Sequence, residues 1–155
     1  MCGIWLRVFV RLLYYDMKIK EAKFENIENI IEIWEECNLT RPWNNPNDDT
    51  KNAILNSTST ILLLCNEDCI IGTVMVGYDG HRGWIYYLAV AKEFQKMGIG
   101  KKLVREAESW LKANNIPKVN LMIRSSNIGV KQFYKTCDYM ESDVITMEKW
   151  LNNKF

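Results

Sequence analysis

A glycine-opened helix that follows a hydrophobic strand after a short loop is the feature that most constrains this chain. Residues 84–90 are dense in aromatic and branched side chains, which predicts a strand. After a short loop, apolar residues recur at helical spacing from Gly98 to about Ala113, and Asn114 and Pro117 end the helix. The first N–H groups of a helix have no internal acceptor, and the helix dipole favours negative charge there. The arrangement therefore predicts an anion site, most simply one for phosphate.

The loop itself supports phosphate but not the common nucleotide fingerprints. It reads Gln95-Lys96-Met97-Gly98-Ile99-Gly100, and Lys101 and Lys102 follow. Glycine lets an anion approach the backbone, and the lysines add positive charge. Neither the Walker A pattern nor the Gly-x-Gly-x-x-Gly pattern of dinucleotide-binding proteins is present, which counts against a nucleotide-binding protein.

The remaining segments alternate between helical and strand patterns. Helices are predicted at 27–37, around 48–57 and at 130–136, and a loop with two prolines, Pro42 and Pro46, separates the first two. Strands are predicted at 18–20, 60–65, 69–78, 119–124 and 144–147. The order β-α-α-β-β-β-α-β-α-β predicts an α/β fold, a mixed sheet with helices on both faces.

Composition excludes several classes of protein. The chain has 155 residues, with 20 Lys and Arg against 19 Asp and Glu, so charge gives no argument for nucleic acid or an acidic membrane. Five cysteines without a Cys-x-x-Cys pair suit reduced thiols and a cytoplasmic location. Cys65 and Cys69 flank a turn. Either they face each other across a hairpin, or they are simply two small apolar strand residues. With His81 as the single histidine, no metal site is expected.

Residues 1–16 are apolar but interrupted by Arg7 and Arg11, too short and charged to span a bilayer and without a signal-peptide cleavage site. We interpret them as an N-terminal extension outside the core, with Met17 as the natural start and 17–155 as one domain. The alternatives are packing against the core, or a helix that lies on a membrane or binds a partner.

Two motifs together resemble the GNAT family of N-acetyltransferases. Residues 95–100 resemble the Gln/Arg-x-x-Gly-x-Gly/Ala pyrophosphate loop of that family. Asn127, Val130 and Phe133-Tyr134-Lys135 resemble its Asn-x-x-Ala-x-x-hydrophobic-Tyr helix, so the likeness covers residues 17–148. Two further stretches resemble the YpeA-like bacterial branch: Arg41-Pro42-Trp43-Asn44 and Gly77-Tyr78-Asp79-Gly80-His81-Arg82-Gly83.

The resemblance implies a GNAT fold, with a mostly antiparallel mixed sheet, and a cytoplasmic enzyme, monomer or homodimer. It implies direct transfer of an acetyl group from acetyl-coenzyme A to a primary amine of a small molecule or peptide, without metal, nucleic acid or membrane. The alternative is a GNAT-like module that binds coenzyme A as a sensor or interaction domain, since a fold does not guarantee chemistry.

The family's roles can be carried to matching positions. Leu88, Ala89 and Val90 would run beside the pantetheine arm, and Asn127 would bond the pantetheine region. The pyrophosphate would be held by the loop and helix start: Gln95, Lys96, Met97, Gly98, Ile99, Gly100 and Lys101. Tyr134 would be the general acid for the leaving thiolate, or else a packed aromatic. Because a tyrosine has a pKa of roughly 10 and a thiol one of about 8.5, Tyr134 needs a lowered pKa or stabilises charge without full transfer.

The acceptor side is less defined by the sequence. Many relatives carry a glutamate on the strand that here reads Trp84-Ile85-Tyr86-Tyr87-Leu88, and this chain has none. Asp79, His81 and Tyr86 are the candidate bases, and His81 is alternatively a solvated turn residue. Arg41 and Trp43 would hold an acidic or aromatic substrate, or else the tryptophan packs its loop. Asp138 stands where the family usually has glycine, which predicts a strained or differently built turn.

Overall fold

The computed structural model describes residues 17–151, so the predictions for residues 1–16 lie outside it. The described chain forms two compact units that meet in sequence between Met122 and Ile123. A single domain over 17–155 stays a prediction, and each unit is described by itself. No helix among residues 17–151 is both long and apolar enough to cross a membrane.

The first unit contains a five-stranded sheet in the order β1-β2-β3-β4-β5. Neighbours from β1 to β4 are antiparallel, and β5 runs parallel to β4, which confirms the mostly antiparallel mixed sheet. Central strands are covered on both faces, which is why residues 61–65 are continuously apolar and buried. The strands are β1 (Met17–Glu21), β2 (Ser59–Asn66), β3 (Cys69–Tyr78), β4 (Gly83–Val90) and β5 (Val119–Asn120).

Three helices of the first unit are α1 (Ile27–Glu36), α2 (Pro46–Leu55) and α3 (Ile99–Ala113). Successive strand residues point to opposite faces, so Gly72 and Thr73 lie on opposite faces of β3 and their contacts identify what covers each face. Trp34 of α1 donates its indole N–H to Thr73 Oγ1 at 2.9 Å. A Cβ on Gly72 would lie 2.9 Å from Leu103 Cδ1 of α3. Helices therefore cover both faces, as predicted.

The loop with two prolines was only partly predicted correctly. Pro46 begins α2 instead of breaking it, and the side chain of Asn45 accepts a hydrogen bond from the backbone N–H of Asp48. Proline suits the first helical position because its missing N–H would have no acceptor there and its φ is already helical. The hairpin also differs: Cys65 pairs with Ile70 instead of facing Cys69.

Three helices end in the same hydrogen-bonded turn, in which a residue with left-handed backbone follows the last turn. These residues are Asn38 (φ 55°), Asn115 (φ 60°) and Asp138 (φ 65°). At the last of them, Asp138 N–H donates to Lys135 and Tyr139 N–H donates to Tyr134, which is the Schellman pattern. Asp138 thus builds the ordinary glycine-type turn at a cost in backbone strain.

The second unit contains helix α4 (Ile128–Lys135), and the remaining residues from 139 to 151 are irregular. The prediction of a strand at 144–147 is wrong, since Ile145 and Met147 are each 92% exposed and in no ladder. The predicted strand at 119–124 is likewise limited to β5. Apolar alternation supplies a strand's side-chain period, but a strand also needs a partner for its N–H and C=O groups.

Candidate active site

A bulge in β4 is the central feature of the first unit's site. Thr73 pairs with Ala89 whereas Met75 pairs with Tyr86, so two residues of β4, Tyr87 and Leu88, stand opposite one residue of β3. Tyr87 has a φ of 48°, in the left-handed region. An extra residue shifts the side-chain phase of a strand by one, so residues after the bulge exchange faces.

The exchange of faces is visible in two contacts. Before the bulge, Gly83 faces α3, because a Cβ there would lie 2.6 Å from Leu111 Cδ1. In a regular strand Tyr87 would share that face. Instead its ring stacks on Trp34 of α1, with centroids 4.0 Å apart and an interplanar angle of 13°.

Tyr87 is fixed by polar contacts as well. Its hydroxyl donates to Asp49 Oδ2 of α2 at 2.8 Å, and its carbonyl accepts from Thr73 Oγ1 at 3.4 Å. Burial, reinforced by the Asp49 carboxylate, raises the pKa of Tyr87. The bulge is therefore tied to α1, α2 and β3. None of four residues at the bulge was predicted from the sequence to belong to the site: Tyr87, Asp49, Thr73 and Trp34.

The edge of β4 opposite β3 is largely without a strand partner. β5 pairs only with Gly83 and Trp84. Ala91 N–H donates to Ile71 O of β3 at 3.0 Å, and because successive residues point to alternate edges, Val90 points to the other edge. Among the described strands none lies opposite Val90 on that side.

The carbonyl of Val90 is held in place by two side chains. The side-chain amide of Gln95 donates a hydrogen bond from Nε2 to this oxygen at 2.9 Å, and the thiol of Cys37 donates one from Sγ at 3.3 Å. Burial is the main cause that raises the pKa of the Cys37 thiol, so the thiol keeps the proton that it donates. Gln95, predicted as a phosphate-loop residue, thus fixes the end of β4 in this structure.

The start of α3 is an uncapped helix N-terminus. Its N-cap is Gly98, with φ 81° and no side-chain cap, and no acidic residue occupies the first turn. Lys102 N–H donates to Gly98 O at 3.1 Å, which opens the helical ladder. By contrast, Asn45 caps α2 and Asn127 caps α4. The N–H groups at the start of α3 are therefore positioned for an anion that is not part of this helix.

Other predicted loop residues lie around this helix start. Lys96 is exposed and has a left-handed backbone with φ 62°. Ile99 is buried and anchors the helix, while Met97, Gly100 and Lys101 are half-buried. Lys102 lies 3.7 Å from Glu106 in an i,i+4 pair, so part of its charge is compensated within the helix.

Asp79 stabilises the turn between β3 and β4. Its carboxylate accepts the backbone N–H of Arg82 at 2.7 Å and of His81 at 2.8 Å, and the indole N–H of Trp84 at 3.1 Å. These donors, the Arg82 N–H first, lower the pKa of Asp79 to about 2. A carboxylate of this kind is a weak base.

The other two candidate bases lie near this turn. His81 is exposed. Tyr86 is 40% exposed, and its ring stacks with that of Trp84 at a centroid distance of 6.3 Å. Burial of its ring raises the pKa of Tyr86, so its hydroxyl holds its proton more tightly than usual.

The predicted acceptor loop, between α1 and α2, contains Arg41 and Trp43. Arg41 donates Nη1 to the carbonyls of Asn38 and Thr40, each at 3.0 Å, and so braces its own loop. Trp43 is 44% exposed. Within residues 17–151, no three His, Cys, Asp or Glu side chains converge as metal ligands would.

The second unit contains the other predicted motif. Asn127 is the N-cap of α4, and its Oδ1 accepts from Val130 N at 3.2 Å. Tyr134 is buried, and its ring contacts Phe133 and Tyr139 edge-to-face at centroid distances of 5.1 and 5.3 Å. Burial raises the pKa of Tyr134, and the nearby Cys137 adds to the shift. This shift is opposite to the lowered pKa that full proton transfer would need.

Comparison with known proteins identifies the family. The Acetyltransferase (GNAT) family profile matches residues 27–139. The chain is 38% identical over 135 residues to an acetyltransferase of Pectobacterium atrosepticum, covering 87% of this chain and 96% of the relative.

Two solved structures share the fold at low identity. One is an aminoglycoside acetyltransferase from an uncultured soil metagenomic sample in complex with sisomicin (TM-score 0.72, 18% identity, 88% of this chain and 97% of the other). The other is an acetyltransferase from Clostridium acetobutylicum with acetyl-CoA (TM-score 0.73, 16% identity, 90% and 100%). The chain thus belongs to the acetyltransferase (GNAT) family and is an acetyl-CoA-dependent acetyltransferase.

Proposed function

We propose that this protein moves the acetyl group of acetyl-CoA to a primary amine of a small molecule or peptide. The observation that carries the proposal is the uncapped Gly98 start of α3, which follows the Val90 end of β4, where the outer edge has no partner among the described strands. An anionic pyrophosphate suits the first feature, and a chain of amides suits the second.

The chain's own groups then have defined roles toward the cosubstrate. The backbone N–H groups from Met97 to Lys101 hold the pyrophosphate, with Lys96 and Lys101 adding positive charge. Residues 88–90 run beside the pantetheine arm. Because Gln95 and Cys37 already occupy the Val90 carbonyl, the Val90 N–H is the group left to bond a pantetheine amide oxygen. Asn127 is assigned to the pantetheine region through its motif.

Tyr134 is assigned to the leaving sulfur. The neutral amine attacks the acetyl carbon, the carbon–sulfur bond breaks, and the negative charge develops on the sulfur that leaves with coenzyme A. The amide nitrogen that forms releases its extra proton to water. A tyrosine whose pKa is raised by burial gives up its proton less readily than an ordinary one. Tyr134 therefore acts as a hydrogen-bond donor that stabilises the developing thiolate, without complete proton transfer.

A small-molecule acceptor is the first class to examine, because a relative in fold binds sisomicin. The competing acceptor class is a peptide α-amine. Turnover with one member of each class separates the two.

The experiment is a calorimetric titration with acetyl-CoA, with ATP and NAD as controls, followed by thiol release in the presence of peptide α-amines and small polyamines. We expect selective binding of acetyl-CoA and amine-dependent release of coenzyme A. Binding without turnover of any of these amines would refute the proposed acceptor classes, and a folded sample that binds none of the three ligands would refute the cosubstrate assignment.

A further inference from the structure

The carbonyl oxygen of Val90 is the point where three segments of the first unit meet. Val90 ends β4, Gln95 belongs to the phosphate loop at residues 95–100, and Cys37 directly follows α1. The oxygen accepts the amide of Gln95 at 2.9 Å and the thiol of Cys37 at 3.3 Å. A carbonyl oxygen has two lone pairs, so these two donors complete its hydrogen bonding. We call the oxygen and its two donors the Val90 clamp.

The Val90 clamp lies at the edge of β4 that is assigned to the pantetheine arm. Ala91 N–H donates to Ile71 O of β3, so Val90 points both its N–H and its C=O to the other edge. None of the described strands lies opposite Val90 there. The clamp therefore fixes the peptide group next to the N–H that is left to bond the cosubstrate.

The fold needs the side chain of Cys37 only in part. The end of α1 is formed by the backbone of Cys37, whose N–H donates to Ile33 O at 3.0 Å. Its side chain is half-buried against the core cluster that includes Trp34, and a small apolar side chain would serve that packing as well. Gln95 alone already spares the Val90 carbonyl the cost of being unpaired. The thiol is thus a second donor, and its added effect is to fix the direction of the oxygen.

The direction of this oxygen matters to a ligand that touches both the strand edge and the phosphate loop. The pantetheine arm and the pyrophosphate are covalently joined in coenzyme A, so both parts of the site must be in place together. Groups that hydrogen bonds hold before the ligand arrives need less ordering on binding, which favours affinity. Gln95 joins the clamp to the loop that leads into the uncapped Gly98 start of α3, and Cys37 joins it to α1.

We propose that Cys37 is a positioning residue for acetyl-CoA, which holds the Val90 edge of β4 in a fixed position relative to the phosphate loop. This inference rests on the proposed function, which assigns these two parts to the pantetheine arm and the pyrophosphate. Cys37 takes part in no bond that forms or breaks. Its thiol therefore contributes to the affinity for the cosubstrate and not to the rate of acetyl transfer.

The test compares calorimetric affinities for acetyl-CoA and for ADP 3′-phosphate, the part of coenzyme A that has the pyrophosphate but no pantetheine arm. Cys37→Ala should weaken acetyl-CoA binding roughly three- to tenfold, the effect of about one hydrogen bond. ADP 3′-phosphate contacts only the loop, so its affinity should change by less than about twofold. A general loss of stability would not separate the two ligands in this way.

Two further variants separate the hydrogen bond from the packing of the side chain. Cys37→Ser keeps a donor at nearly the same place and should bind acetyl-CoA more tightly than Cys37→Ala. Cys69→Ala is the matched control, because it removes the exposed thiol at the start of β3, and it should leave both affinities unchanged. With an amine that the wild type acetylates, Cys37→Ala should raise KM for acetyl-CoA and leave kcat nearly the same.

The outcomes distinguish this inference from the proposed function. Equal acetyl-CoA affinities of wild type and Cys37→Ala, equal affinities of Cys37→Ser and Cys37→Ala, or an equal loss for both ligands would overturn the positioning role and leave the cosubstrate assignment standing. Weaker acetyl-CoA binding in Cys37→Ala, without turnover of any amine by the wild type, would support the clamp and refute the proposed acceptor classes. A folded wild-type protein that does not bind acetyl-CoA would overturn both.

Discussion

Replacing Gly98 by alanine tests the phosphate loop most directly. Gly98 has a φ of 81°, which an L-residue adopts at a cost of roughly 1–2 kcal/mol. Alanine there either keeps the strained backbone or moves out of it and turns the first N–H groups of α3 away from the ligand. If the full strain opposes binding, the affinity for acetyl-CoA falls roughly 5- to 30-fold, since about 1.4 kcal/mol corresponds to a factor of ten.

Gly80 provides a control with nearly the same backbone. Its φ is 86°, and no atom lies within 4 Å of the position that a Cβ would occupy. Gly80→Ala should therefore introduce the same backbone strain and leave the phosphate loop at residues 95–100 unchanged. We expect Gly80→Ala to lower the melting temperature by roughly 2–8 °C, at about 2–4 °C per kcal/mol for a chain of this size. Gly98→Ala should lower it less, because a loop that moves out of the strained backbone avoids the strain until the ligand binds. Calorimetric titration should show weakened acetyl-CoA binding only in Gly98→Ala, and equal affinities in the two variants would refute the loop assignment.

Three further changes test other parts of the structure. Tyr134→Phe should lower kcat at least tenfold and leave the Kd for acetyl-CoA unchanged, and an equal loss in both would remove its assigned role. Because the pKa of Tyr134 is raised in the folded state, the wild type should lose stability above about pH 10. Relative to Tyr134→Phe, the unfolding free energy measured by urea titration should fall by up to about 1.4 kcal/mol per pH unit. The same pH dependence in both proteins would contradict the buried hydroxyl. Asp138→Gly should raise the unfolding free energy by about 1 kcal/mol, because glycine relieves the left-handed strain at φ 65°. Gly83→Ala should lower it by roughly 1–3 kcal/mol through the contact with Leu111, and an unchanged urea midpoint would show that α3 yields freely.

Local patterns predicted most of the fold. The periodicity of 99–113 and the apolar runs of β2 and β3 each lie within one segment, so the sequence contains the signal that the structure uses. Failures occurred where a strand lacks a ladder partner and where a helix cap was not recognised. Residues 144–147 have strand-like side chains without a ladder partner, and Pro46 looked like a helix breaker because the cap supplied by Asn45 was not recognised.

The candidate site also contains residues that the sequence could predict and residues that it could not. The loop at 95–100 was identifiable because its glycines, lysines and following helix are contiguous. Asp49 and Tyr87 are 38 residues apart, and only the bulge brings them together. Regular alternation would place Tyr87 on the face of β4 that Gly83 shares with α3. The left-handed backbone that changes this face is carried by a tyrosine, a residue that gives no hint of it.

The absence of a carboxylate from β4 restricts which acceptor amines can react. Three hydrogen-bond donors lower the pKa of Asp79 to about 2. This pKa is far below that of any alkyl ammonium, so Asp79 is a poor base for one. The acceptor amine must then reach the thioester already neutral, or lose its proton to water. At pH 7 roughly one lysine-type amine in 2,500 is neutral, against roughly one in ten for an amine with a pKa near 8. A nearby like charge lowers the pKa of an ammonium, so in a short diamine each ammonium makes the other easier to deprotonate. An acceptor with two closely spaced amines, or with an α-amine, is therefore easier to deprotonate than a lysine side chain.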